Sequence, residues 1–225
     1  MRRFPLYIVL CPFVLLLSCT PQDHLTILHT NDTHSQVEPK ANNQGGYARR
    51  MGLINEERKA DKNLLLLDAG DFCQGTPYFN FYHGRVELDA MNKMGYDAAT
   101  LGNHEFDNGL DTLAAVLKTA QFPIVCANYD FSGTAMEGVV KPYTVIRRGG
   151  LKIGIFGLGC DPRGIISDKN FAPARYLEPY PVAQKMADEL RAQGGDLVLC
   201  LTHNGTYGKA PEDACNVNKL QATRG

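Results

Sequence analysis

Five short stretches of this 225-residue chain each place a side chain able to bind a metal at what reads as the end of a strand. They are Asp32-Thr33-His34, Gly70-Asp71, Gly102-Asn103-His104-Glu105-Phe106-Asp107, Asn128, and Thr202-His203-Asn204-Gly205. Carboxylate, amide oxygen and imidazole together suit Zn²⁺, Mn²⁺, Fe or Co. In an extended segment Asp32 and His34 project to one side and could grip one ion, whereas His29 has the opposite parity. Each stretch also has a plain structural explanation. Gly70-Asp71 fits an Asx turn, Asn103 and Asn128 fit turn residues, Asp107 fits a helix N-cap, and His203 fits a hydrogen-bonded structural histidine. Their order, each after a strand, is what favours a shared site.

The elements that would position them alternate. Leu25–Asn31 reads as a strand, Ala48–Ala60 as an amphipathic helix, and Leu64–Leu67 as a strand buried on both faces. Glu87–Met94 reads as a helix closed by Gly95, Ala98–Leu101 as a strand, Leu110–Thr119 as a helix and Pro123–Ala127 as a strand. Tyr143–Arg148 and Lys152–Leu158 flank Gly149-Gly150 as a hairpin. Val182–Gln193 reads as a helix and Asp196–Thr202 as a buried strand. The pattern predicts an α/β layered domain with a mixed sheet, in which sites form beyond strand ends.

The ordered blocks resemble the calcineurin-like metallophosphoesterase superfamily. The longer words ILHTNDTHS (27–35), GGYARR (45–50), LLLLDAGDFCQGTP (64–77), MNKMGYDAATLGNHEFDNG (91–109) and LTHNG (201–205) are similar to the 5'-nucleotidase family, which also includes UDP-sugar and cyclic-nucleotide hydrolases. The resemblance implies a four-layer αββα sandwich and two divalent ions. It implies that Asp32 and His34 bind the first ion, Asp71 bridges both, and Asn103 and His203 bind the second. A dinuclear-metal-activated hydroxide would then hydrolyse a phosphate ester, a nucleoside 5'-phosphate in the leading reading. UDP-sugar or 2',3'-cyclic-nucleotide hydrolysis is the alternative on the same site, and a non-catalytic lipoprotein that keeps the fold is another. His104 would stabilise the transition state or protonate the leaving oxygen, and Asp107 would orient its ring and favour its cation. No residue is assigned to binding the rest of the substrate.

The sequence departs from that family in one respect. The resemblance calls for a Gly-His-x-His block beyond LTHNG, one His for each ion, and no His follows His203. Asn216–Gly225 reads as the helix and turn leading to that strand. Ending at Gly225, the domain is expected to be partial, with an unpaired sheet edge, loosened metal binding, low stability and little turnover. A C-terminal substrate domain, on this or a separate chain, is the implied partner.

The N-terminus reads as a lipoprotein signal over 1–18. Arg2-Arg3 precede an apolar run, Leu6–Leu17, too short to span a bilayer comfortably, and Leu16-Leu17-Ser18-Cys19 resembles a lipobox. Lipidated Cys19 would open a linker, 19–24, ahead of the domain at 25–225, placing the protein outside the cytoplasm on a bacterial membrane, in the periplasm or at the cell surface. Cys126 and Cys200 lie in apolar runs and read as small buried hydrophobes. With 23 Lys plus Arg against 24 Asp plus Glu, the chain carries no basic excess for nucleic acid.

Overall fold

The structure, a computed structural model, describes residues 24–204 and the backbone of 218–223. Cys19 and the lipobox lie outside the described residues. The strands are β1 (His24–Thr30), β2 (Leu64–Asp68), β3 (Ala98–Ala99), β4 (Tyr129–Asp130), β5 (Tyr143–Arg148), β6 (Leu151–Leu158), β7 (Arg175–Tyr176), β8 (Leu197–Thr202) and β9 (Asn218–Thr223). The helices are α1 (Tyr47–Ala60), α2 (Pro77–Tyr82), α3 (Arg85–Met94), α4 (Gly109–Leu117), α5 (Asp168–Phe171) and α6 (Pro179–Ala192), with a 3₁₀ turn at His104–Asn108.

Two sheets carry the domain. The first runs β3-β2-β1-β9, parallel except for antiparallel β9, and the second runs β5-β6-β8, with β6 parallel to β8. A two-stranded ribbon pairs β4 with β7. The leucine run of β2 shows why the layers stack. Leu64 and Leu66 point into a core shared with Ile54 of α1, Leu88 and Met91 of α3, and Leu113 of α4. Leu65 and Leu67 point the other way, with Leu25 and Ile27 of β1, against Leu151, Ile153 and Ile155 of β6. On the far face of the second sheet, Phe156 and Leu158 meet Met186 and Leu190 of α6. Alternate residues of one strand thus feed two cores, giving helix, sheet, sheet and helix layers. Full burial of each of these leucines contributes about 1.5–3 kcal/mol.

The β5–β6 hairpin closes through Gly149 and Gly150, both at positive φ (58° and 79°), as a two-residue turn matched to strand twist requires.

The structure corrects several expectations. Pro123–Ala127 is not a strand. Its backbone divides its hydrogen bonds among three neighbours: Val125 N–H donates to Ala99 O (2.8 Å), Cys126 N–H to Lys141 O (2.8 Å) and Ala127 N–H to Gly157 O (2.8 Å). A segment shared in this way makes isolated bridges rather than a ladder. The stretch 218–223 is a strand, not a helix, and it pairs along β1, whose edge is therefore covered. Its sequence Asn-Lys-Leu-Gln-Ala-Thr alternates with the period of a strand. Cys126 is buried as expected, but Cys200, on edge strand β8, is exposed. Helix α2 begins with Pro77 at its first position, a start signal that the sequence reading passed over.

Among the described residues, no helix is long and apolar enough to cross a membrane.

Candidate metal centre

The chemistry-bearing residues sit beyond the C-terminal ends of parallel strands. Asp32 and His34 follow β1, Asp71 follows β2, the 102–107 turn follows β3, and His203 follows β8 of the second sheet. The first two loops are laced together by their backbones. Asp32 N–H donates to Gly70 O (2.9 Å), His34 N–H to Asp71 O (3.0 Å) and Ser35 N–H to Phe72 O (2.9 Å). The segment is not extended. Asp32, His34 and Ser35 adopt φ of 49°, 42° and 53°, and Asp71 adopts 55°. Such left-handed residues cost about 1–3 kcal/mol each and persist only where their surroundings hold them. Asp32 and His34 therefore face one region by a coiled route rather than by strand alternation.

Asp71 is the hub, with 3% of its surface exposed. Its Oδ1 accepts the His104 backbone N–H at 2.9 Å. Its Oδ2 lies 3.1 Å from His203 Nε2. The other ring nitrogen of His203, Nδ1, is 2.9 Å from Ala69 O. A carbonyl can only accept, so Nδ1 carries the proton and Nε2 is turned toward the carboxylates. Asp32 Oδ1 lies 3.8 Å from His34 Nε2 and 3.9 Å from His203 Nε2, which lets it serve either imidazole. His104 stacks edge-on against His34 with ring centroids 5.3 Å apart, and its Nδ1 is 3.0 Å from Asp107 Oδ2.

Two trios of donor atoms result, Asp32–Asp71–His203 and His34–Asp71–His104, each within 4.8 Å and sharing Asp71. This grouping differs from the sequence reading, which paired Asp32 with His34 and kept His104 apart from the ligands. Asn103 lies between Gly102 and His104, half-buried, and its carbonyl accepts the Phe106 N–H at 3.3 Å. Gly102 is required by a close approach: a Cβ there would fall 2.2 Å from Asp71 Oδ1.

The donor set fits a divalent cation. A histidine whose Nδ1–H is fixed on a carbonyl and whose Nε2 faces carboxylates has the orientation of a metal ligand. Burial opposes charge on His203, but its hydrogen bond to Asp71 and that carboxylate's charge outweigh it and raise its pKa to about 9. For Asp71, burial works upward, and the His203 hydrogen bond and charge overcome it, lowering its pKa. A divalent cation bound there would take the place of the His203 Nε2 proton beside Asp71.

Two fully buried acids were missed as contributors. Glu105 accepts the backbone N–H groups of Asp71 (3.0 Å), Cys73 (3.0 Å) and Gly102 (2.6 Å), tying the two loops around the hub. Burial and the Asp71 charge push its pKa up to about 8, against the pull of those three donors. Its place inside the Gly-Asn-His-Glu word was the available signal. Asp68, at the end of β2, accepts the Thr30 hydroxyl and the Gly70 N–H, and burial raises its pKa to about 6.

The remaining candidates lie elsewhere. Asn128 is buried and clamps the end of β6, with Nδ2 donating to Gly159 O and Oδ1 accepting Gly159 N–H, both at 2.8 Å. That is a cross-link between segments, not an Asx turn. His29 points off β1, half-buried, and burial lowers its pKa. His24 pairs with Asp61 at 3.1 Å, and His83 is the exposed left-handed cap of α2.

Comparison with known proteins agrees with this architecture. The calcineurin-like phosphoesterase family matches residues 25–223. A snake venom 5'-nucleotidase from Naja atra is 41% identical over 197 residues, covering 80% of this chain and 36% of that protein. A probable 5'-nucleotidase of Treponema pallidum is 33% identical over 208 residues, covering 87% of this chain and 35% of its own length. A 5'-nucleotidase precursor structure from Thermus thermophilus superposes with a TM-score of 0.76 at 42% identity, over 81% of this chain and 37% of that one. The chain spans about a third of the length of the curated relatives it matches. Fold, site geometry and matches converge, and the chain belongs to the calcineurin-like phosphoesterase family.

Proposed function

We propose that this chain hydrolyses phosphate monoesters of nucleosides at a centre of two divalent ions. The observation that carries the reading is Asp71, one buried carboxylate within 4.8 Å of donor atoms from Asp32, His34 and His203, with the His104–Asp107 pair alongside as the acid. Asp32, His34, Asp71, Asn103 and His203 are the residues assigned to hold the ions. When bound, two such ions supply a Lewis-acid clamp for phosphate oxygens and a water deprotonated near neutral pH. The 5'-nucleotidase relatives support nucleoside 5'-phosphates as the substrate class.

The chain's own residues supply the rest. Asp107 holds the Nδ1–H of His104, which leaves Nε2 to carry a proton to the departing ester oxygen. Asp71 fixes the backbone of His104 through the N–H bond to Oδ1, so the acid and the metal-binding hub are placed by one contact. Glu105 keeps both loops at that distance.

The lipobox at Leu16–Cys19 supports an extracytoplasmic protein anchored through lipid on Cys19, and the signal, linker and domain boundaries are proposed at 1–18, 19–24 and 25–225. Recognition of the nucleoside is proposed to come from a C-terminal substrate domain, since the chain covers only a third of relatives that share the family fold.

The test is phosphate release from AMP, a UDP-sugar, a 2',3'-cyclic nucleotide and a generic aryl phosphate, with saturating Mn²⁺ and after chelation. A low AMP turnover that disappears on chelation and returns with Mn²⁺ is expected, since no His follows His203 to supply the two further ligands the family resemblance calls for. Turnover indifferent to chelation would refute a metal centre.

A further inference from the structure

We propose that Glu87 is a positioning residue: from beneath the site it sets the loop that carries Asp32 and His34, and thereby the affinity for divalent metal. The inference rests on the metal-centre reading above. Glu87 lies in the first turn of α3 and is wholly buried, with 0% exposure. A carboxylate near a helix start is favourable, but that benefit needs no burial. Here Oε1 accepts the hydroxyl of Ser35, the residue directly after His34. The same hydroxyl lies 2.7 Å from Thr76 Oγ1, and Thr76 Oγ1 donates to Ser35 O at 3.0 Å. Ser35 is thus gripped at its side chain and its carbonyl, as well as at its N–H by Phe72 O.

This grip acts where the backbone is least willing. Asp32, His34 and Ser35 all hold left-handed φ, a conformation that side-chain-bearing residues leave unless restrained. Gly75 packs against the same loop, where a Cβ would lie 2.8 Å from His34 O. Meanwhile Glu87 Oε2 has no hydrogen-bond partner. A buried acid with one oxygen unmatched is costly for the fold, and an apolar residue would fill the position at less cost. Retaining the acid makes sense if the Ser35 contact holds the ligand loop in its strained form.

Two measurements on the full chain test this: Mn²⁺ titration calorimetry, and amide exchange at Asp32, His34 and Ser35 in metal-free protein. Glu87→Ala is expected to weaken Mn²⁺ binding by about 10–100-fold and to speed exchange at those three amides. The Leu88 amide of α3, bonded to Gly84 O, should stay protected. Glu87→Gln keeps an oxygen for Ser35 and should restore most of the affinity. Ser35→Ala, a milder change, should shift both readouts in the same direction as Glu87→Ala and serves if that variant does not fold. Wild-type Mn²⁺ affinity and exchange in Glu87→Ala and Ser35→Ala would overturn the proposal, as would faster exchange throughout α3 with affinity intact. If the unmutated protein binds no Mn²⁺, the metal-centre reading fails, whereas loop exchange still decides whether Glu87 sets the loop.

Discussion

Asp71 and His203 meet at 3.1 Å, although one follows a strand of the first sheet and the other a strand of the second. The centre is therefore assembled across the sandwich, not within one sheet. Whatever binds between these two residues also bonds the sheets together.

Metal should accordingly stabilise the whole fold. At about 100 times its dissociation constant, one bound ion contributes about 2.7 kcal/mol, a rise in Tm of roughly 5–10 °C for a chain of this size. Asp71→Asn keeps an acceptor for the His104 N–H but loses the anionic bridge. It should abolish the Mn²⁺-dependent rise in a thermal melt, and a full rise in that variant would remove Asp71 from the ligand set.

His104 belongs geometrically to a donor trio, yet its assigned task is proton transfer. His104→Ala should lower kcat by about 10²–10⁴-fold with metal content per chain unchanged by elemental analysis. Asp107→Asn should lower kcat by about 10–100-fold. Metal lost along with turnover in His104→Ala would make His104 a ligand instead.

Asp68 makes stability depend on pH with an unusual sign for an aspartate. Its pKa rises from 3.8 in the unfolded chain to about 6 when folded. Between those values the unfolded chain releases the proton and the folded chain retains it, so stability falls as pH rises, by up to about 3 kcal/mol. Urea unfolding across pH 4–7 should show that the wild type loses stability relative to Asp68→Asn over this interval. Parallel curves for the two proteins would contradict the assignment.

Lipid attachment is tested by metabolic labelling with a fatty acid. The wild type should incorporate label and fractionate with membrane, and Cys19→Ala should do neither. Label retained in Cys19→Ala would eliminate the lipobox reading.

Much of this molecule could be read from its residues, for identifiable reasons. Leu64–Leu67 read as a doubly buried strand because both of its faces meet cores, and Glu87–Met94 read as a helix because Gly95 ends it in a left-handed cap. The positions of Asp71, His104 and His203 were legible because each follows a strand with a clear apolar pattern. What escaped depends on tertiary partners. The coiled path of Asp32–Ser35 is imposed by the carbonyls of residues 70–72, far along the chain. Glu87 and Glu105 look like surface acids in sequence, and only their partners, a hydroxyl and three backbone N–H groups, explain their burial. Pro123–Ala127 has the composition of a strand, and competition among three neighbours denies it a ladder.

That last segment matters for the centre. Its alternating bonds to Ala99, Lys141 and Gly157, with Asn128 fastened to Gly159 just beyond, stitch the edge of one sheet to the tip of the other. A site whose donors come from both sheets is vulnerable to shear, because sliding one sheet by a single residue would displace His203 by about 3.3 Å relative to Asp71, enough to break their 3.1 Å contact. The stitch works as a detent against that slip. It keeps the two halves of the ligand set in registration before any cation arrives.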